Sequence, residues 1–128
     1  MKFEDIELLR ELTIVIPTCE KPENLERAIE YWRDTPVTVH IVDGSEKPWF
    51  QIGVLQNIPT INYHHLPAKP DEDVHQNYSR RLRFATTLPL TIYSALCADD
   101  DAFTISGLLG ILKTLEYKPD IDAMIGRA

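Results

Sequence analysis

Four short apolar runs, each closed by a polar turn, limit what this chain can fold into. They are "LTIVIP" (12–17), "VTVHIVD" (37–43), "TINYHHLP" (60–67) and "LTIYSALC" (90–97). Their β-branched content and length read as strands, the first and last as buried ones. Helical patterns lie between them. In "PENLERAIEYWRD" (22–34), Pro22 suits the first helical position, and Leu25, Ala28, Ile29 and Trp32 repeat at i, i+3, i+4 and i+7. "DVHQNYSRRLRFATT" (73–87) places Val74, Tyr78, Leu82 and Ala85 on one side. "TISGLLGILKTLEYK" (104–118) has Thr104 as N-cap and Leu108, Leu109, Leu112 and Leu115 as its apolar face. "EKPWFQIGVLQNIP" (46–59) is irregular, and "IDAMIG" (121–126) begins a short final strand.

The resulting order, β-α-β-β-α-β-α-β, predicts an α/β fold: an open, mostly parallel, Rossmann-like sheet with helices on both faces. One domain over residues 1–128 accommodates it, and no repeat or linker divides the chain. The net charge is −7, from 13 basic and 20 acidic residues. That balance excludes a dedicated nucleic-acid binder, which needs a basic face, and suits a protein that holds a divalent cation. The N-terminus lacks the apolar core of a leader, and no run reaches the ~18 apolar residues of a membrane span. With two cysteines, Cys19 and Cys97, a reducing, cytoplasmic setting is expected.

In parallel sheets, ligands bind beyond the carboxyl ends of the strands. The first strand delivers Pro17, Thr18 and Cys19 there, the second Asp43, Gly44 and Ser45, and the fourth Asp99, Asp100 and Asp101. No Gly-x-Gly-x-x-Gly or Walker A loop follows any strand, which excludes the common dinucleotide and P-loop sites. Three adjacent carboxylates repel one another and are costly to desolvate. A hard cation such as Mg²⁺ or Mn²⁺ reverses that balance, taking oxygen ligands from one or two carboxylates and the rest from water and phosphate. The competing reading is a solvated acidic loop that caps the helix from Thr104. At the end of a buried strand, the metal reading is preferred.

Three blocks, "LTIVIPTCEKPENLERAIEYW", "VHIVDGSEKP" and "ALCADDDAF", taken in this order, resemble the N-terminal half of family 2 glycosyltransferases of the GT-A fold. The resemblance spans nearly the whole chain. It implies a nucleotide-sugar donor, usually UDP-linked, bound with Mg²⁺ or Mn²⁺, and transfer of the sugar to an acceptor hydroxyl. By position, Pro17 and Thr18 would line the nucleoside pocket, and Asp43 would contact the base from a turn shaped by Gly44 and Ser45. Asp99 would face the ribose or the metal, Asp101 would be the leading metal ligand, and Asp100 would lie between them. Arg81 and Arg83 match a basic position that serves the diphosphate. They read equally well as a solvated helix face pairing with Asp71, Glu72 or Asp73.

The chain departs from the family in two ways. Many relatives have Asp-Asp-Gly-Ser where this chain has Val42-Asp43-Gly44-Ser45. Residues 1–128 are also expected to hold no counterpart of the family's acceptor-binding half, and the only later acids among them, Glu116, Asp120 and Asp122, are expected at the opposite rim, so no catalytic base is assigned. An apolar face left by that missing half would favour a homo-oligomer. Membership of the family also leaves room for attachment to a membrane surface. The rival readings are a noncatalytic nucleotide- or nucleotide-sugar-binding module and a sugar-phosphate nucleotidyltransferase. The second is disfavoured because "PTCEKPEN" contains no glycine. Outside the rim, Cys97 and Trp32 read as core, His64 and His65 as facing opposite ways on one strand, and Trp49 with Phe50 as loop anchors rather than a ligand cover.

Overall fold

The computed structural model describes residues 1–88 and 90–124. Its elements are α1 (Phe3–Leu9), β1 (Leu12–Thr18), α2 (Pro22–Trp32), β2 (Thr38–Asp43), a 3₁₀ segment (Ile52–Asn57), β3 (Ile61–His65), α3 (Val74–Ala85), β4 (Tyr93–Leu96) and α4 (Ile105–Tyr117). The four strands form one sheet in the order β3-β2-β1-β4, and every neighbouring pair is parallel. The chain steps outward from β1 to β2 to β3, then returns across the sheet to place β4 on the other side of β1. The fold is therefore a Rossmann-like α/β arrangement with a topological switch point between β1 and β4.

Alternate strand residues point to opposite faces, and the core divides accordingly. On one face Ile14, Ile16, Val39, Ile41 and Ile61 pack with Leu25, Ala28, Ile29 and Trp32 of α2, Leu108 and Leu112 of α4, and Leu8 and Leu9 of α1. On the other face Val15 and Val42 pack with Ala85 of α3, flanked by Leu66, Phe84 and Leu88. The i, i+3, i+4, i+7 stripe of α2 is buried at all four positions, and Pro22 occupies the first turn as expected. Thr104 caps α4, its Oγ1 accepting from the Gly107 N–H at 3.1 Å. Trp32 and Cys97 are core residues.

Several expectations are corrected. β4 is an edge strand, four residues long rather than eight, and its residues alternate between half-buried and exposed. Tyr93 and Ala95 pack against the larger core; its other face exposes Leu96, with Ile92 bare just before the strand. α1 was not foreseen, because two buried leucines in seven residues are too few to show a period. Residues 121–124 of the expected final strand adopt no strand, and 125–126 lie outside the described residues.

The inward face of α3 differs from the expected one. Val74 and Tyr78 are exposed, and the buried positions are Asn77, Arg81 and Ala85, at i, i+4 and i+8. The polar side chains turn inward to meet main-chain carbonyls: Asn77 Nδ2 donates to that of Leu66, and Arg81 Nη1 to those of Thr18 and Val42 at the ends of β1 and β2. Among the described residues no helix is long and apolar enough to cross a membrane.

Candidate functional site

Because all four strands are parallel, the polar residues after β1, β2 and β4 share one rim. β1 and β4 meet there directly: Thr18 Oγ1 donates to Asp99 Oδ2 at 2.8 Å, across the switch point. Asp99 and Asp100 lie in a tight turn closed by the Asp101 N–H donating to the Ala98 carbonyl at 3.2 Å. Asp99 is half-buried, and Asp100 and Asp101 are exposed. None of the three caps α4, because Thr104 does so itself. Their charge is felt by the buried Cys97 thiol, which burial first, and then Asp101 and Asp100, push up to about 11.

β1 and β2 are joined at the rim by main chain, the Gly44 N–H donating to the Thr18 carbonyl at 2.9 Å. Asp43 is 3% exposed, and its carboxylate is well supplied with donors. Oδ1 accepts from the Ser45 N–H at 2.9 Å and from Ser45 Oγ at 2.5 Å, and Oδ2 accepts from the Tyr63 hydroxyl at 2.6 Å. Burial, then the bond to Asp43, raise the Tyr63 hydroxyl well above its ordinary value, so it stays a donor. A carboxylate offers about four acceptor sites, so Asp43 keeps little capacity beyond these three bonds. Tyr63 also accepts from the Trp49 N–H at 2.8 Å, which ties the loop after β2 to the rim.

Glu20 has a left-handed backbone, φ 54°, unusual for a side chain of this kind. Two contacts hold it: its N–H donates to Ser45 Oγ at 2.7 Å, and its Oε2 accepts from the Glu46 N–H at 3.0 Å; Ser45 is itself fixed where its carbonyl meets His65 Nε2 at 2.7 Å. Beside it, the half-buried Cys19 thiol is raised by burial, opposed by Arg81 and reinforced by Glu20, Asp43 and Asp99. It stays a thiol, which does not suit a nucleophile.

Arg81 lies beneath the two loops and is 4% exposed. Its Nη1 donates to the carbonyls of Thr18 at 3.0 Å and Val42 at 3.4 Å, and its Nε donates to Asn77 Oδ1 at 2.8 Å. Among the described residues it has no carboxylate partner. It is neither a solvated residue nor one paired with Asp71, Glu72 or Asp73; the arginine that pairs with Glu72 is Arg80, at 2.7 Å. A glycine is required at position 44, because a Cβ there would sit 2.6 Å from Arg81 Nε and closer still to Asn77 Oδ1. Arg83 is not gathered into this site. It is exposed and lines an open groove of about 790 Å³ with Lys69, Glu72, His75 and Arg80.

Between the loops after β1 and β2 lies a cavity of about 170 Å³. Thr18, Glu20, Asp43, Ser45, Lys21 and Lys47 give its lining polar groups, and Pro22, Leu25, Pro48, Trp49 and Phe50 give it apolar ones. The structure thus brings Thr18, Asp43, Gly44, Ser45 and Asp99 together, with Pro17 one residue behind and Arg81 below. It adds Glu20, Tyr63, His65 and Asn77, which the sequence reading missed. Only Asn77 left a trace there, as a polar residue four before Arg81 and eight before Ala85.

Among the described residues no three His, Cys, Asp or Glu side chains form a ready metal cluster. The donors at the β4 turn are all carboxylate oxygens, the chemistry that Mg²⁺ or Mn²⁺ accepts, in the small number of protein ligands that such an ion takes beside a phosphate. The later acids lie elsewhere. α4 runs back from the rim, and Lys113 on it meets Asp5 of α1 at 3.1 Å, which places Glu116 toward the opposite end of the sheet. Compared with family models, curated proteins and solved structures, the chain matches none.

Proposed function

We propose that this rim binds a nucleotide-diphosphate sugar together with Mg²⁺ or Mn²⁺, and that the chain is the donor-binding part of a glycosyltransferase. The observation that carries this reading is the Thr18–Asp99 bond, which joins the Pro-Thr loop of β1 to the acidic turn of β4 at the switch point, beside a cavity. In this reading the nucleoside enters the cavity between the two loops, against Pro17 and Thr18. Asp43 offers its remaining acceptor capacity to a ring N–H, and Ser45 and Gly44 hold the turn. Asp99 and Asp101 are the metal ligands, Asp99 also facing the ribose, with Asp100 between them. A bound cation would supply Lewis-acid stabilisation of the leaving diphosphate. Arg81 acts from below as a buried positive charge without a carboxylate partner, a charge that an anionic ligand compensates.

A noncatalytic nucleotide-binding module uses the same rim. It is favoured by one observation: among the described residues no acid beyond the β4 turn approaches the cavity. Slow hydrolysis of a free UDP-sugar separates the two, because only a catalytic site accelerates it. A cytoplasmic setting fits either reading.

Calorimetry tests the proposal. UDP, GDP and CDP are titrated with and without Mn²⁺ into the wild type and Asp101→Ala. Metal-dependent binding of one of them to the wild type, weakened in the variant, is expected. Absence of any metal-dependent nucleotide binding rejects the proposal, and full binding by Asp101→Ala removes that residue from the metal.

A further inference from the structure

The loop after β2 carries two adjacent aromatic side chains whose surroundings are opposite. Trp49 is 6% exposed and packs in the core beneath the sheet, its main-chain N–H fixed to Tyr63. Its indole nitrogen is buried without a partner among the described residues, a cost of roughly 1–3 kcal/mol that the buried ring must outweigh. Phe50, the next residue, is 77% exposed and lines the 170 Å³ cavity. A phenyl ring in solvent gains nothing for the fold. Here, however, it stands on a rigid support: Pro48 restricts the backbone before it, Trp49 anchors the loop, and Tyr63 links that anchor to Asp43. The cavity beside it is lined by apolar groups of Pro22, Leu25, Pro48 and Trp49 and by polar groups of Thr18, Asp43 and Ser45, with Glu20, Lys21 and Lys47 also on its wall. That mixture of apolar and polar groups suits a flat heteroaromatic ring, with a face to cover and a polar edge to satisfy.

We propose that Phe50 is a stacking residue that selects ligands carrying a planar aromatic ring, and that Trp49 and Tyr63 are the positioning residues that present it. This rests on the nucleotide reading above and assigns the recognition of the base to a loop that carries none of the acidic rim. Base–aromatic stacking tolerates different bases, since each has a π face, so Phe50 sets the demand for a ring and leaves the choice among rings to the polar groups.

The test uses the full chain in Mn²⁺, with UDP and inorganic pyrophosphate as paired probes, on the wild type, Phe50→Ala and Phe50→Tyr. Phe50→Ala is expected to weaken UDP about tenfold, in line with the contribution of one stacked base, and to leave pyrophosphate unchanged. Phe50→Tyr is expected to keep UDP affinity. UDP binding by Phe50→Ala equal to wild type overturns the inference and leaves the nucleotide reading standing. Equal loss of UDP and pyrophosphate also overturns it, because Phe50 would then act through the shape of the rim. A wild type that binds neither probe overturns both.

Discussion

Position 44 shows how tightly the rim is built. The Gly44 backbone lies against the Asn77–Arg81 pair with no space for a methyl group. Gly44→Ala should therefore force those side chains aside and cost about 1–3 kcal/mol, read as a lower midpoint in urea unfolding. Stability equal to wild type would mean that the pair yields freely. Arg81 offers the converse test. Arg81→Met keeps much of the side-chain volume but strips donors from the Thr18 and Val42 carbonyls. The Thr18 carbonyl keeps its bond from the Gly44 N–H, so the loss is that of the charge-assisted bonds themselves, roughly 1.5–3 kcal/mol each, and a lower thermal midpoint is expected even without ligand. An unchanged midpoint would show that water replaces the guanidinium. At this scale the sequence was only half readable. The Asp-Gly-Ser turn and the acidic triplet announce themselves by composition. A buried arginine does not, because surface position is the rule for that residue and only its bonds to carbonyls of two strands distant in sequence reverse it.

Among the elements, α3 carries the most consequence, since it holds both rim clamps. Its start is fixed by a capping box: Asp73 Oδ1 accepts from the Gln76 N–H at 2.8 Å, and Gln76 Oε1 accepts from the Asp73 N–H at 2.9 Å. Asp73→Ala should cost about 1 kcal/mol and fray the turn before Asn77, measurable as faster amide exchange at residues 74–77. Exchange rates like those of wild type would mean that packing alone holds the helix start. The helices were legible where an apolar stripe faces an apolar sheet, as α2 shows at Leu25, Ala28, Ile29 and Trp32. α3 misled because its inward face answers to carbonyls rather than to side chains. β4 misled for another reason: the apolar run 90–97 has the composition of a central strand, while its position at the sheet edge depends on strand order, which no local pattern encodes.

The whole molecule carries a pH-sensitive contact away from the rim. On the α3 face His40 Nδ1 meets His64 Nε2 at 3.0 Å, one ring donating and the other accepting, with Phe84 of α3 edge-on to His64. Burial lowers both imidazoles below their ordinary 6.5, His64 lowers His40 further, and among the described residues no other charged group shifts either ring. The folded state therefore favours the neutral pair, while the unfolded chain takes up protons near the ordinary value. Stability from this pair is complete above about pH 6.5 and falls as the pH drops toward the lowered folded values. Thermal midpoints between pH 7.5 and 5 should decline, and the decline should flatten in His40→Gln. Identical slopes in both would exclude the pair as the cause.

The strand order has a consequence in time as well as in space. β1 is central, with Thr13 to Thr18 registered against β2 and Leu12 to Val15 against β4. The first partner follows closely in the chain, but the second ends only at Leu96. At ~5–20 residues per second, a ribosome takes roughly 4–16 s to travel from the end of β1 to the end of β4. Through that interval the most apolar strand of the protein has one hydrogen-bonding edge open to any neighbour. A nascent chain of this design thus depends on whatever shields an unpaired edge until its last strand arrives.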